Sequence, residues 1–368
     1  MSSTSAELLV ESAPGCDAGI GILRRLQAAA LADRTPISGS IALTHRCNLR
    51  CVHCYARTNA AGGAELSTPQ ALSVIDEMAD AGCLFLLLTG GEPLLRPDFA
   101  AIYAHARRKG ILVSVFTNGT LIDDAILRLF REYPPRVVDI TLYGITDATC
   151  ARVTGVRGVP SKVLPAIDRL REQGTRVSLK TVVLTLNQSE FPDIQEFAVE
   201  RGIRFRLDAA VFPRFDGDRG PLRFRLPPNE AVALEMGRPE RARQWREYIE
   251  EQKRIPPTDA LYSCVAGLCS FHVDPAGDLL PCLMAGHIRH SLKEGGFREG
   301  WRRLTADMQR RKRPAGYGCA QCEKRPACGY CPAFARLETG EETKPSEYLC
   351  ALGDARLRAL TPMEPAVR

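Results

Sequence analysis

From Ile37 onward, short apolar runs alternate with longer stretches whose apolar positions recur every three or four residues. The runs are ISGSIALT (37–44), LFLLLT (84–89), ILVSVFT (111–117), VVDITLY (137–143), RVSLKTVVL (176–184) and IRFRLDAAV (203–211). Each is strand-sized. The stretches between them predict helices over 68–81, 97–109, 121–132, 161–173 and 190–201. Helix starts are marked by STPQ at Ser67–Gln70 and RPDF at Arg96–Phe99, each with a proline near the first turn. Gly82, Gly110, Gly174 and Gly202 fall where helices should end. Six alternating units predict an α/β fold with a parallel sheet and right-handed crossovers. Six is short of eight, so the expectation is an open, partial (β/α)6 TIM-like barrel.

The alternation stops near Pro213. A turn-rich connection, PRFDGDRGPLRFRLPP (213–228), leads to a charged helix expected over 230–253. From Leu261 the chain becomes loop-rich, and eight of its fourteen cysteines lie between Cys264 and Cys350. The expected organisation is an N-terminal extension (1–36, with a helix near 19–33), the partial barrel (37–212), a linker and bridging helix (213–260), a cysteine-rich domain held together by metal (261–355) and a tail (356–368). DPAGDLL reads as a β-hairpin turn.

Composition adds little to this. The 368 residues are 45% apolar and carry a net charge of +6, too weak to argue for nucleic acid. The basic runs, Arg302–Arg303, Arg310–Arg313 and the arginines between Arg201 and Arg225, read as solvated faces, with attraction of an acidic peptide or redox partner as the rival. The start of the chain lacks a signal-peptide pattern, and the longest apolar run, CLFLLL (83–88), is far below a membrane span. The expectation is a cytoplasmic protein without membrane contact. There, fourteen cysteines argue for metal or redox chemistry instead of disulfides. Eleven fall in two groups; Cys16, Cys83 and Cys150 stand apart as structural thiols.

The first group, Cys47-x3-Cys51-x2-Cys54, directly follows the first strand, where barrel folds place reactive loops. Three thiolates can hold three irons of a [4Fe–4S] cluster and leave the fourth open. A zinc site completed by His45 or His53 is the alternative. The second strand ends in TGGEP (89–93), where Gly90 and Gly91 allow close backbone approach and Glu92 can accept from an ammonium group. The third ends in TNGT (117–120), with Asn118 in reach of a ribose hydroxyl.

Three such motifs at three successive strand ends resemble the radical S-adenosylmethionine (SAM) superfamily. His53 occupies the aromatic position of its cysteine motif, and GGEP matches its amine-binding motif. The resemblance implies that the open iron chelates the amine and carboxylate of SAM. Reductive cleavage then yields a 5′-deoxyadenosyl radical that abstracts a hydrogen from substrate. It also implies SAM contacts from Thr141, beside Tyr143 at the end of the fourth strand, and from Arg152 in CARVTGVRG (150–158). Lys180, Arg206 and Asp208 fall towards the barrel interior. Charges there are costly unless paired or functional, so these are the catalytic or substrate-contact candidates.

The second group reads Cys264-x4-Cys269-x12-Cys282, then Cys319-x2-Cys322-x5-Cys328-x2-Cys331, then Cys350. Eight thiolates suit two fully ligated [4Fe–4S] clusters or two zinc sites. The segment resembles a SPASM domain, the auxiliary-cluster extension of radical SAM peptide-modifying enzymes. That resemblance implies a crossed arrangement, with one cluster on Cys264, Cys269, Cys282 and Cys331 and the other on Cys319, Cys322, Cys328 and Cys350, making three clusters in all. Two departures stand out. Cys328 and Cys331 are separated by two residues where the family has three. Leu283 and Met284 follow Cys282, where sulfatase-maturing members carry an acidic base, which argues against sulfatase maturation.

The expected function is modification of a ribosomally made precursor peptide by a crosslink or a related hydrogen-abstraction step. A flavodoxin- or ferredoxin-type donor would supply electrons. Residues 1–36 are too short for a leader-binding domain, which implies a separate leader-recognition protein or direct docking. The alternatives are a cofactor or small-molecule maturase of the same architecture and a zinc-stabilised binding module.

Overall fold

In the computed structural model, residues 17–56, 65–255 and 258–361 are described. Cys16, the start of the N-terminal extension and the last residues of the tail lie outside them. The first six strands are β1 (Ser38–Ala42), β2 (Phe85–Thr89), β3 (Leu112–Thr117), β4 (Val137–Thr141), β5 (Val177–Val182) and β6 (Arg204–Asp208), all parallel and adjacent in chain order. Each lies inside a run picked out by its apolar pattern.

Helices between them form where their start signals stand. Ser67 and Gln70 make a reciprocal capping box ahead of helix Thr68–Asp80. Asp123 caps helix Asp124–Glu132 by accepting from Ile126 N. The helices cover one face of the sheet. Ile41, Leu86, Leu88, Val113, Val115, Val138, Ile140 and Leu179 face them and are essentially inaccessible. Burying each such side chain contributes about 1.5–3 kcal/mol.

The opposite face is different. Cross-strand register places Ser40 beside Leu87, Leu87 beside Ser114, Phe116 beside Asp139 and Asp139 beside Ser178. It also places Thr141 beside Lys180, Lys180 beside Arg206 and Val182 beside Asp208. Side chains alternate along a strand, so these share the inner, concave face. The barrel has an apolar exterior against its helices and a polar, charged lumen.

Three further strands, β7 (Ser270–Val273), β8 (Asp278–Leu280) and β9 (His290–Ser291), continue the same sheet beyond β1. β7 pairs parallel with β1, and β8 and β9 follow antiparallel through the expected turn, closed by Asp274 N donating to Asp278 O at 3.0 Å. Strands from the start of the cysteine-rich segment are therefore hydrogen-bonded to the barrel. Helix Gly296–Arg310 packs on them through Phe297 and Trp301, whose rings lie against Phe271.

The single helix expected over 230–253 is two, Pro228–Glu235 and Pro239–Arg254. Pro239 disfavours helical backbone at the residue before it, and Arg238 is extended at φ −124°, ψ 134°. Among the described residues no helix is long and apolar enough to cross a membrane.

Candidate active site

The cysteine loop leaves β1 and is tied down by its backbone. Arg50 N donates to Thr154 O at 2.8 Å, Val52 N to Val153 O at 2.9 Å and Cys54 N to Cys51 O at 3.1 Å. Leu49 is buried in the core beneath it, and Leu49 N donates to Cys47 Sγ at 3.4 Å. The three thiols stand close enough to oppose one another's ionisation. Burial, then the charges of Glu92 and Cys54, pushes Cys47 up to about 11. Burial followed by the Cys54 and Cys47 charges raises Cys51 further still. Thiolates crowded in this way need a cationic centre among them. Among the described residues no group of three or more His, Cys, Asp or Glu side chains is placed to hold a metal ion. His53, a ligand in the zinc alternative, shares a hydrogen bond of 3.2 Å with Tyr143 through Nε2. The donor set fits a cluster held by Cys47, Cys51 and Cys54.

Gly90 and Gly91 let the end of β2 lie flat against this loop. A Cβ on Gly91 would stand 2.3 Å from Arg46 O, and one on Gly90, at φ +150°, 2.7 Å from Thr44 O. Gly91 N donates to Thr44 O and Glu92 N to Arg46 O, both at 2.8 Å. Glu92 itself is fully buried. Its Oε1 accepts from Thr117 Oγ1 at 2.7 Å and Leu94 N at 3.1 Å, and its Oε2 accepts from Asn118 N at 2.7 Å. Burial pushes this carboxyl up to about 7 against the pull of those bonds. Glu92 thus braces the ends of β2 and β3 with the oxygens that the sequence assigned to an ammonium group. Asn118 Nδ2 donates to Asn48 Oδ1 at 2.8 Å and lies 4.0 Å from Cys47 Sγ, so the third motif touches the first.

Two bracing residues had no site role in the sequence reading. Arg96, 7% exposed, donates to Leu43 O and Leu66 O at 2.7 Å each and pairs with Asp98. Glu65 Oε1 accepts from Thr44 Oγ1 and His45 N, both at 2.8 Å. RPDF signalled only a helix start; what Arg96 grips are carbonyls that only the fold brings near.

Deeper in the lumen, Lys180 Nζ sits 4.4 Å over the Phe116 ring and Arg206 Cζ lies 6.0 Å from the same ring. Burial lowers the Lys180 pKa; the Asp139 and Asp208 charges oppose that and Arg206 adds to it. Burial and the Lys180 charge hold His53 down at about 4, so its ring is neutral, and its buried Nδ1 has no hydrogen-bond partner among the described residues. Thr141, Lys180, Arg206, Asp208 and His53 are thus brought to one lumen. Arg152 is exposed and donates to Thr149 Oγ1 and Leu186 O, both at 3.0 Å, joining the exits of β4 and β5.

The second cysteine group falls into two sets. Burial first, then the Cys331 and Cys264 charges, pushes Cys282 up to about 12. Burial and Cys331 act likewise on Cys264, with a smaller push from Cys269. Cys269 is inaccessible and packed with Ala30, Ile37 and Phe85. In the other set, burial and the charges of Cys350, Cys322 and Cys319 push Cys328 up to about 11. Helix Glu347–Leu360 brings Cys350 there by lying against Cys328 at Gly353. By these mutual charges Cys264, Cys282 and Cys331 stand near one another, as do Cys319, Cys322, Cys328 and Cys350. An aromatic chain joins the two cysteine regions: Tyr55, next to Cys54, stacks on Phe212 at 5.6 Å. Phe212 meets Phe334 at 5.8 Å, and Phe334 N donates to Cys331 Sγ.

Residues 41–198 match the Radical SAM superfamily. The chain is 35% identical over 162 residues to Fe-coproporphyrin III synthase of Methanosarcina barkeri, covering 44% of this chain and 40% of that protein, so it spans less than half that relative's length. It is 28% identical to the AdoMet-dependent heme synthase of the same organism, covering 83% of this chain and 94% of that protein. It is 26% identical to the PqqA peptide cyclase of Granulibacter bethesdensis, covering 85% and 86%. Its fold is similar to that of Streptococcus suis SuiB bound to precursor peptide SuiA, with a TM-score of 0.68 and 17% identity over 92% of this chain and 82% of that one. It is equally similar to native anSMEcpe with bound AdoMet, with a TM-score of 0.68 and 16% identity over 88% and 96%. Residues 41–198 are thus a domain of the Radical SAM superfamily, a family that implies a [4Fe–4S] cluster and S-adenosylmethionine.

Proposed function

We propose that this enzyme modifies a ribosomally made precursor peptide. The observation that carries the reading is the extent of similarity to PqqA peptide cyclase. It runs over 85% of the chain, well beyond the superfamily domain at residues 41–198. The fold shared with SuiB supports it. When bound, the cluster and SAM supply a carbon radical that takes a hydrogen atom from substrate. Cys47, Cys51 and Cys54 hold that cluster. Gly90, Gly91, Glu92 and Asn118 set the loops around SAM, with Thr141, His53 and Arg152 at the rim. Lys180, Arg206 and Asp208 hold polar groups of the substrate within the lumen.

Auxiliary [4Fe–4S] clusters on Cys264, Cys269, Cys282 and Cys331 and on Cys319, Cys322, Cys328 and Cys350 would accept the electron left after hydrogen abstraction, while a lumen base takes the proton. A flavodoxin- or ferredoxin-type protein supplies the initial electron, and a separate protein recognises the leader. On this reading the enzyme works in the cytoplasm.

A second reading, a cofactor synthase acting on a tetrapyrrole, rests on the 28% identity to AdoMet-dependent heme synthase. Co-expression with short peptides encoded beside the gene, followed by mass spectrometry, separates the two. Loss of two hydrogens from a peptide supports the first. Unchanged peptides, together with conversion of added iron-coproporphyrin by the reconstituted enzyme, would support the second.

A further inference from the structure

Immediately after β6 the chain turns back over the cysteine loop. Val211, Phe212 and Pro213 are buried, and Phe215 N donates to Tyr55 O at 3.0 Å. The rings of Phe212 and Phe215 lie 5.6 and 5.1 Å from that of Tyr55. A tight turn follows: Arg214 N donates to Asp218 O and Gly217 N to Arg214 O, both at 2.9 Å. Arg214 Nη1 donates to Asp218 Oδ2, also at 2.9 Å. Both sides of Arg214 are therefore pinned, with the residue after it bonded to the neighbour of Cys54.

The guanidinium has one feature that this packing leaves unexplained. Its Nε is buried and has no hydrogen-bond partner among the described residues. A buried donor left unmade costs about 1–3 kcal/mol, and more when charged. Asp218 takes Nη1, so the Nε–H is left for an acceptor that the described residues do not provide. The hydrogen bond from Phe215 N to Tyr55 O holds Arg214 alongside Cys54, the neighbour of Tyr55. An anionic sulfur acceptor held at Cys54 meets that need.

We propose that Arg214 is a positioning residue for the cluster on Cys47, Cys51 and Cys54, donating its Nε–H to a cluster sulfur and favouring the reduced cluster through its positive charge. This rests on the assignment of those three cysteines as cluster ligands. Reduction adds one negative charge to the cluster, so a fixed cation beside it stabilises the product more than the starting state. Hydrogen bonds to cluster sulfurs act in the same direction.

The test uses the full chain, reconstituted anaerobically with iron and sulfide. Redox titration follows the electron paramagnetic resonance signal that SAM perturbs, which separates this cluster from any other. In Arg214→Gln the ratio of reduced to oxidised cluster at a fixed poise should fall about tenfold, equivalent to about 59 mV for one electron. Arg214→Lys, which keeps the charge, should recover most of that loss. Signals insensitive to SAM should not shift in either variant. A loaded cluster with an unshifted potential in Arg214→Gln overturns the role of the arginine alone, and so does a failure of Arg214→Lys to recover it. If iron content in the parent enzyme is unaffected by replacing Cys47, Cys51 and Cys54 together, the ligand assignment falls and the proposal with it.

Discussion

Gly39 and Phe271 share one volume: a Cβ on Gly39 would stand 2.1 Å from Cζ of the Phe271 ring. Gly39 is in β1 and Phe271 in β7, paired in register. The contact lets the first strand of the barrel accept a strand from the cysteine-rich segment, with the ring passing on to Phe297 at 4.8 Å. Gly39→Val should therefore separate β1 from β7 and lower stability by about 3 kcal/mol, as overpacking does. Phe271→Ala should cost about 3–5 kcal/mol through the cavity it leaves. Denaturant midpoints followed by circular dichroism check both. A Gly39→Val variant as stable as the parent would refute the close approach.

Glu92 provides a second test, because its oxygens already have partners. In Glu92→Ala, Thr117 Oγ1 and the amides of Leu94 and Asn118 lose their acceptor. Unsatisfied buried donors cost about 1–3 kcal/mol each, so a loss of about 3 kcal/mol is expected. Asn118 also loses its anchor beside Cys47, so SAM affinity should fall while iron content at the cysteines stays near that of the parent. Equilibrium dialysis with labelled SAM and iron analysis make the comparison. Full SAM affinity in the variant would show that the brace is dispensable.

Glu342 links stability to pH. Its carboxylate accepts from Tyr262 Oη at 2.7 Å, lies 2.7 Å from His287 Nε2 and pairs with Arg311 at 2.6 Å. Burial pushes this group up, but His287, Tyr262 and Arg311 outweigh burial and hold it at about 2, below its ordinary 4.5. A carboxylate depressed on folding contributes stability that is fully present above the unfolded value and is lost as pH falls through the folded one. The stability difference between the parent and Glu342→Gln should hold at about 2 kcal/mol near neutrality and shrink as pH falls below 4.5. Denaturant titrations of both proteins between about pH 7 and pH 3.5 span the upper part of that window. A difference that grew on acidification would reverse the sign and defeat the assignment.

What could be read in advance, and what could not, follows from the range of each interaction. The barrel strands were legible because each is a local apolar run bounded by turn residues. β7 was not: it is four residues long, and His272 breaks its apolar run on the lumen side. There His272 Nδ1 meets Ser40 Oγ at 2.8 Å, a contact between residues 232 positions apart. The break between helices Pro228–Glu235 and Pro239–Arg254 was written in Pro239, but the charged pattern running through it masked the signal. Three cysteines within eight residues declared themselves by spacing alone. Their bracing by Glu92, Arg96 and Glu65, and the placing of Arg214, depend on carbonyls and thiols that sequence separation hides.

Cys51 offers the most direct test of the centre. It lies between Cys47 and Cys54, and both of those thiols act on it electrostatically. Removing it leaves two thiols where three irons need anchoring, so Cys51→Ala should lose the SAM-binding cluster. The other two sets include Cys331, which caps helix Pro332–Thr339, and Cys350, within helix Glu347–Leu360, away from the Cys51 loop, and their thiols should keep their metal. The variant should therefore contain about four fewer iron atoms per chain than the parent. It should also form no 5′-deoxyadenosine when given SAM and dithionite, while the absorbance of the remaining clusters persists. Chromatography of the nucleoside products, with iron analysis of the same sample, reads both outcomes. Undiminished 5′-deoxyadenosine would remove Cys51 from the site. Loss of all iron would instead show that the three cysteine sets assemble as one unit, with the sheet contact between β1 and β7 as the physical link between them.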